Sequence, residues 1–312
     1  MLWSPRMSAT TLTDTAESRS DPWPVITTSL YNDPGCPWAY SANPAFRVLE
    51  WRYGTQLDWR LVLIGLTESA EQYVARGYTP LRSALGQTRF RRFGMPFSPS
   101  PKARVSATAR ACRAVVGARL VDPGSEWRVF RTLQLANFTT PLVLEDDAAL
   151  TAVLDGLEGV DGNAIVSMLD DPAVTDAYER DKAESREAGG SAAELQGKTA
   201  QSDGPVRFTA PSIVFEREGQ RLVAGGWQPT EAYDVLLVNL DPALDRRAAP
   251  DAPAPLLEQF PDGLTTQEVA ELLVRGNEEP DRNAAEAGLL ELVAGGTAER
   301  IPLGDDALWR AA

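Results

Sequence analysis

The residues best suited to chemistry lie in the segment Asp33-Pro-Gly-Cys-Pro-Trp-Ala-Tyr40, which holds one of the two cysteines of the chain. The sequence has no histidine, which excludes catalysis by imidazole, a cysteine–histidine pair and a histidine-ligated metal. Two cysteines are too few for a zinc cluster of three or four thiolates, so we predict no metal site. The first candidate for a nucleophile is therefore Cys36.

Cys36 stands at the predicted amino end of a helix, where Pro37 suits the first helical position. Unpaired backbone N–H groups and the helix dipole favour negative charge at such a position. We therefore expect a lowered pKa for the Cys36 thiol and a reactive thiolate that needs no neighbouring base. The alternative is a relic site, in which the fold persists but the thiol has no substrate.

The sequence around this thiol predicts a βαβ unit that positions it. Val25–Tyr31 is predicted as a buried strand that ends in a tight loop, and 57–65 as a second strand. The helix between them runs from Pro37 to about Tyr53, with a kink expected at Pro44. The two strands should be parallel and joined by a right-handed crossover.

Helical patterns dominate residues 67–187, which we interpret as a helical insertion. Strand character returns at 211–215 and 221–224, with Gly219 in a hairpin turn, and a closing helix follows at Thr230–Leu240. The helices predicted within the insertion are Val105–Leu120, Glu126–Asn137, Ala148–Leu157, Gly162–Leu169 and Pro172–Glu187.

Three features resemble the DsbA-like branch of the thioredoxin superfamily, including the FrnE-type oxidoreductases and the 2-hydroxychromene-2-carboxylate isomerases. The segment around Cys36 is similar to the family motif D-P-x-C-P-W-C, the βαβ, insertion and ββα order matches, and Thr209-Ala210-Pro211 resembles the cis-proline loop. Together they span roughly residues 24–241. The resemblance implies an α/β thioredoxin fold with a helical insertion.

The resemblance also implies the layout of the site. Pro211 should be cis and lie beside Cys36, so that the Ala210 backbone pairs with an extended thiol substrate. Pro37 and Trp38 are candidate substrate contacts, and simple packing at the helix start is the equal alternative for Trp38. Ala39 departs from the family, because it occupies the position of the second, resolving cysteine. A dithiol cycle within this motif is therefore excluded.

A monothiol site leaves three alternatives. Cys36 could form a mixed disulfide that a low-molecular-weight thiol resolves, giving a thiol-disulfide oxidoreductase-type protein. The site could instead serve a glutathione-transferase-like or isomerase-like enzyme with a bound thiol cofactor, or a catalytically dead protein-binding module. Glutathione and mycothiol are both candidate thiols, and no tightly bound cofactor is expected.

Two further groups of residues carry weaker signals. Cys112 lies in an alanine-rich helical pattern, which favours a buried structural thiol over a distant resolving partner. The basic cluster of Arg89, Arg91 and Arg92 could grip a carboxylate of a peptide-like thiol. A solvated face, or pairing with the abundant acids of the chain, is the simpler interpretation.

The two ends of the chain are expected to differ from the middle. Residues 1–23 are predicted as a flexible leader and 242–262 as a Pro/Ala-rich linker. Residues 263–312 are predicted as a small helical domain, either of winged-helix type or a plain helical hairpin. The capping box Thr265-Thr-Gln-Glu268 indicates the start of the first helix of this domain. Residues 251–312 hold four arginines and thirteen acidic residues, a net charge of −9, which favours protein contact or a cover over the main domain.

The whole chain carries a formal charge of −14, so nucleic acid is a disfavoured partner. No signal peptide is recognised, and no run of about 18 apolar residues suggests a membrane span. Two lone cysteines fit a reducing cytoplasm.

Overall fold

The computed structural model describes residues 25–98, 100–202, 204–276 and 278–312 of the chain. The leader predicted at 1–23 lies outside these residues. Within the described ranges no helix combines the length and the apolar character that crossing a bilayer requires.

Strands occupy short, scattered stretches of the described chain, and helices fill most of the sequence between them. The strands are β1 (Ile26–Asn32), β2 (Leu57–Leu63), β3 (Thr199–Ala200), β4 (Arg207–Phe208), β5 (Ser212–Arg217), β6 (Gln220–Ala224), β7 (Leu264–Thr265), β8 (Ala298–Leu303) and β9 (Asp306–Ala311). The helices are α1 (Pro37–Ser41), α2 (Asn43–Tyr53), α3 (Ala70–Ala75), α4 (Pro80–Thr88), α5 (Ala109–Val121), α6 (Glu126–Thr139), α7 (Asp147–Asp155), α8 (Gly162–Ser167), α9 (Pro172–Ser185), α10 (Ala192–Leu195), α11 (Thr230–Leu240), α12 (Ala254–Gln259), α13 (Thr266–Leu272) and α14 (Arg282–Ala294).

The main sheet has the strand order β2-β1-β5-β6. β1 runs parallel to β2 and antiparallel to β5, and β5 forms a hairpin with β6. Glu218 and Gly219 turn this hairpin with φ angles of 50° and 79°, as a two-residue turn of the primed type requires. The predicted βαβ unit and hairpin are confirmed, and the sheet has the arrangement expected of a thioredoxin fold.

The helix predicted from Pro37 to Tyr53 is broken into two. α1 ends at Ser41 after five residues, and α2 begins at Asn43 with Pro44 in its first turn. The ring of Pro44 removes a backbone donor, which accounts for the interruption that the sequence predicted there. α2 and α11 cover one face of the main sheet through an apolar cluster that includes Phe46, Leu49 and Tyr233.

The helical insertion packs largely on itself. Helices α5 to α9 share an apolar core with Leu61 and Leu63 of β2, and Cys112 and Tyr178 are completely buried in it. Helices α3 and α4 also lie within residues 67–187, but none of their side chains is fully buried, and the sequence did not predict these two helices. The short pair β3–β4 after the insertion was not predicted either.

The C-terminal segment forms a separate three-stranded sheet of order β7-β9-β8, with helices α12, α13 and α14 around it. The capping box is present, with the Thr265 side chain bonded to the Glu268 backbone N–H and the Glu268 carboxylate to that of Thr265. Leu256 and Leu257 of α12 are buried in the core of this segment, so the linker predicted at 242–262 ends too late. The winged-helix assignment stays a prediction.

This C-terminal segment packs closely against the rest of the chain. Val48 and Trp51 of α2 belong to its apolar core. Arg131 of α6 donates hydrogen bonds of 2.7 and 2.8 Å to Glu268, whose side chain is completely buried. The turn between β8 and β9 also contacts the main body, because the Asp305 backbone N–H donates to the Phe97 carbonyl at 3.0 Å.

Candidate active site

A buried aspartate fixes the loop that presents Cys36. The Asp33 carboxylate accepts hydrogen bonds from the backbone N–H groups of Gly35 and Leu66, both at 2.8 Å, and from the Thr108 hydroxyl at 2.9 Å. Asp33 thus ties the loop after β1 to the loop after β2 and to the start of α5. Its complete burial raises the pKa of the carboxyl, although these hydrogen bonds oppose the rise.

The Cys36 thiol lies against the loop that contains Pro211. The Ala210–Pro211 peptide bond is cis, and the Cys36 Sγ donates a hydrogen bond of 3.2 Å to the Ala210 carbonyl. The Ser212 hydroxyl pins this loop by donating to the Thr209 carbonyl at 2.7 Å and accepting from the Gly226 N–H at 3.0 Å. The predicted cis geometry and the predicted proximity to Cys36 are both confirmed.

The expected thiolate is wrong for this structure. Only 6% of Cys36 is exposed, and burial raises the pKa of its thiol to about 12. The negative charge of Asp33 raises the pKa further. The backbone N–H groups of Ala39 and Trp38 and the positive charge of Arg207 lower it, but by less than burial raises it. The helix that Cys36 caps is only five residues long, so its dipole is too weak to offset desolvation.

The two candidate resolving positions are both unsuitable for a dithiol cycle. Ala39 is completely buried in the apolar cluster that also holds Cys36, and it has no sulfur. Cys112 is buried in α5, and its Sγ donates to the Asp33 carboxylate at 3.6 Å. Both cysteines are free, and the prediction of a buried thiol at Cys112 is confirmed.

Trp38 sits at the edge of an aromatic cluster beside the thiol. Its side chain is 41% exposed, and its ring lies 5.0 Å from the Phe90 ring and 5.7 Å from the Phe93 ring. The Phe93 ring is 5.1 Å from that of Trp227, which follows β6. Trp227 was not singled out from the sequence, because only the fold brings the chain after β6 next to the segment after α4.

Two arginines of the basic cluster, Arg91 and Arg92, make contacts within the chain. Arg91 forms an ion pair of 3.2 Å with Asp305 of the C-terminal segment, and the Arg92 guanidinium lies 4.8 Å from the Phe93 ring. These contacts favour the interpretation of intramolecular pairing over a grip on a substrate carboxylate.

Chemically, the arrangement offers one protonated thiol beside a cis-proline turn, with an exposed tryptophan next to it. A neutral thiol is a poor nucleophile, because only the thiolate attacks a disulfide. The same high pKa makes the sulfur a poor leaving group once it has formed a disulfide. We therefore expect Cys36 to attack disulfides slowly and to be displaced slowly from a mixed disulfide.

Comparison with known proteins identifies the domain around this site. The sequence model of the DSBA-like thioredoxin domain matches residues 27–190, which is more than half of the chain. No curated protein sequence matches the chain.

Solved structures share the fold at low sequence identity. A protein assigned as a disulfide isomerase from Nitrosomonas europaea is 17% identical, covers 69% of this chain and 97% of its own, and superposes with a TM-score of 0.52. A protein assigned as a DsbA oxidoreductase from Streptomyces coelicolor is 16% identical, with coverages of 73% and 94% and a TM-score of 0.51. The cytosolic disulfide reductase DsbM from Pseudomonas aeruginosa, in its structure with GSH, is 22% identical, with coverages of 69% and 98% and a TM-score of 0.47.

Proposed function

Because the chain belongs to the family of DSBA-like thioredoxin domains, we propose that it performs thiol–disulfide exchange through the single sulfur of Cys36. The observation that carries this proposal is the contact of 3.2 Å between the Cys36 Sγ and the Ala210 carbonyl, next to the cis Pro211. A disulfide substrate that pairs with the Ala210 backbone would bring its sulfur to Cys36, with Pro37 and Trp38 beside it.

The exchange takes two steps, each of which forms and breaks one sulfur–sulfur bond. First, the Cys36 thiolate attacks a disulfide R–S–S–R, which gives the mixed disulfide of Cys36 with RS and releases RS⁻, and this anion takes up the proton that Cys36 lost. Next, the thiolate of a small thiol attacks the RS sulfur of the mixed disulfide. Cys36 leaves as a thiolate and is protonated again, and no second protein cysteine is needed.

We propose glutathione or mycothiol as the small thiol, and a reducing compartment such as the cytoplasm as the setting. The two free cysteines support such a compartment, since neither is held in a disulfide. The acidic C-terminal segment acts in this proposal as a support for the main domain, as its buried pair between Arg131 and Glu268 suggests. The FrnE branch within the family stays a prediction.

Burial of the thiol makes the first step strongly pH-dependent. With a pKa of about 12, the Cys36 thiolate fraction at pH 7 is on the order of 1 in 100,000. We expect alkylation of native Cys36 by iodoacetamide to be about 100-fold slower than that of free cysteine at this pH, after allowing for the greater nucleophilicity of a more basic thiolate. The rate should rise about tenfold per pH unit between about pH 7 and about pH 10.

The measurement follows modification of the peptide that contains Cys36 by mass spectrometry over time. Cys36→Ser is the control for modification elsewhere, and urea-unfolded protein gives the rate of an unburied Cys36. A plateau of the native rate below about pH 9 would show that the thiol ionises like an ordinary cysteine and that burial does not raise its pKa.

A thioredoxin-fold binding module without redox chemistry is the second candidate. The burial of Cys36 and the absence of sulfur at position 39 favour it, since both suppress exchange. This candidate predicts that Cys36→Ser and wild type bind the same peptides with equal affinity, and that neither exchanges disulfides even at alkaline pH. Exchange that depends on Cys36 would exclude it.

A further inference from the structure

A cavity of about 460 Å³ lies beside the Cys36 loop, within the size range of small-molecule sites. Gly35, Pro37 and Trp38 of the Cys36 loop line it, together with residues of helices α3 and α4. Further lining residues come from the segment 101–108 and from the end of α6. Cys36 does not line this cavity, because its sulfur points to the Ala210 carbonyl instead.

The charge around the cavity is opposite to that of the protein. Arg82, Lys102 and Arg104 line it, and no Asp or Glu does so within the described part of the chain. The whole sequence has 44 acidic and 30 basic residues, so a lining whose charged residues are all basic differs from the composition of the chain. A cation-only wall attracts an anion.

Two of the three cations contact backbone carbonyls rather than carboxylates. Arg104 pairs with Glu145 and Asp146, which neutralise it. The Lys102 Nζ donates to the Leu142 carbonyl, and Arg82 donates to the Gly77 carbonyl at 2.9 Å. Among the described ion pairs neither of these two side chains has a carboxylate partner.

Of these two residues, Lys102 is the stronger candidate for binding an anion, because its side chain is partly buried. Burial lowers the pKa of its ammonium group to about 8. An ammonium group has three donors, and the Leu142 carbonyl uses one of them. An anion in the cavity would satisfy another donor and offset the cost of burying the charge.

The remaining lining is mostly non-polar. Five aromatic side chains from four separate parts of the chain belong to it: Trp38, Tyr73 and Tyr78, Phe90, and Phe138. Such a lining buries a non-polar molecule of moderate size, and a few polar groups then fix its orientation.

We propose that this cavity binds an organic carboxylate with a non-polar body, with Lys102 pairing the carboxylate and the aromatic side chains covering the body. The cavity shares Pro37 and Trp38 with the proposed path of the disulfide substrate, but Cys36 does not line it, so binding should be the same in Cys36→Ser. Failure of binding would therefore leave the proposed exchange untouched, and failure of exchange would leave the binding site untouched.

The test measures binding of decanoate by isothermal titration calorimetry, with decanol as the uncharged probe of the same chain length. We expect decanoate to bind wild type at least tenfold more tightly than decanol does. Lys102→Met should weaken decanoate binding at least tenfold and leave decanol binding within twofold. Lys198→Met removes the same charge from an exposed lysine that does not line the cavity, and should change neither affinity more than twofold.

The pH dependence provides a second readout that a structural role of Lys102 would not produce. Decanoate stays ionised above neutral pH, so its affinity should fall at least tenfold between about pH 7 and about pH 9.5 as Lys102 loses its proton. The other charged or titratable groups of the lining are Arg82, Arg104, Tyr73 and Tyr78. The arginines keep their charge in this range, and burial raises the pKa of Tyr73.

Lys102→Arg restores a permanent charge, so its affinity for decanoate should be strong and independent of pH over the same range. Melting temperatures of all variants check that each one folds. Decanoate binding that Lys102→Met leaves unchanged, or binding no tighter than that of decanol, would overturn the proposal.

Discussion

Replacement of Ala39 by cysteine should turn the protein into a dithiol oxidoreductase. Residue 39 lies one helical turn after Cys36, and positions three apart share a face of the helix. A sulfur there can attack the mixed disulfide within the molecule, which releases reduced insulin and leaves a disulfide between Cys36 and the new cysteine. Dithiothreitol then reduces this disulfide and restores the dithiol. We expect Ala39→Cys to reduce insulin disulfides on the order of 100-fold faster than wild type, since an intramolecular attack replaces a bimolecular one.

The matched control is Ala39→Ser, which adds a side-chain atom of similar reach but cannot form a disulfide. Because Ala39 is completely buried, both variants should lose about 1–3 kcal/mol of stability through overpacking. Insulin reduction is followed by turbidity with dithiothreitol as reductant. If Ala39→Cys folds as well as Ala39→Ser but reduces insulin no faster, residue 39 does not face Cys36 in the way that the structure places it.

Breaking the pair between Arg131 and Glu268 should have the largest effect on stability. Glu268 is completely buried and also accepts from the Thr265 backbone N–H at 2.7 Å, and Arg131 is almost as deeply buried. Glu268→Gln leaves the Arg131 charge without its partner, which costs about 3–5 kcal/mol for a buried pair. Urea unfolding, followed by tryptophan fluorescence, measures this loss.

The same pair should make the protein sensitive to acid. Burial by itself would raise the pKa of Glu268, but the charge and hydrogen bonds of Arg131, with the charge of Arg47, hold it below the ordinary value. The stability that Glu268 contributes is therefore present above its unfolded pKa and is lost as the pH falls through the lower, folded pKa. Glu268→Gln should remove this part of the pH dependence.

The surface pair of Arg128 and Asp262 is a suitable comparison, since it joins the same two parts of the chain. Its atoms lie 3.0 Å apart, and the side chains are 36% and 39% exposed. Asp262→Asn should cost no more than about 1 kcal/mol, because water screens an exposed pair. Equal losses for Glu268→Gln and Asp262→Asn would contradict the distinction drawn here between buried and exposed pairs.

The parts of the fold that the sequence predicted are those with strong local signals. The β-branched run before Asn32, the proline at the start of α1 and the two-residue turn at Gly219 each specify their conformation within a few residues. The resemblance of residues 209–211 to a cis-proline loop predicted the cis bond and the contact with Cys36.

The parts that were missed depend on contacts between distant residues. The pKa of Cys36 is raised by burial among side chains such as Phe208 and Val62, which lie far away in the sequence. The helix that begins after Cys36 is also shorter than predicted, so its dipole stabilises a thiolate less. The sequence predicted only a kink where the helix in fact breaks at Ala42. The extent of packing between the C-terminal segment and α2 had no local signal.

The central claim is that Cys36 forms a mixed disulfide without help from a second cysteine. Its most direct measurement is the intact mass of the protein after incubation with excess glutathione disulfide at about pH 9, where the thiolate fraction is larger than at neutral pH. We predict one added glutathione per chain, located on Cys36, absent in Cys36→Ser and present in Cys112→Ala. An adduct on Cys112 alone, or no adduct on folded wild-type protein, would contradict the account.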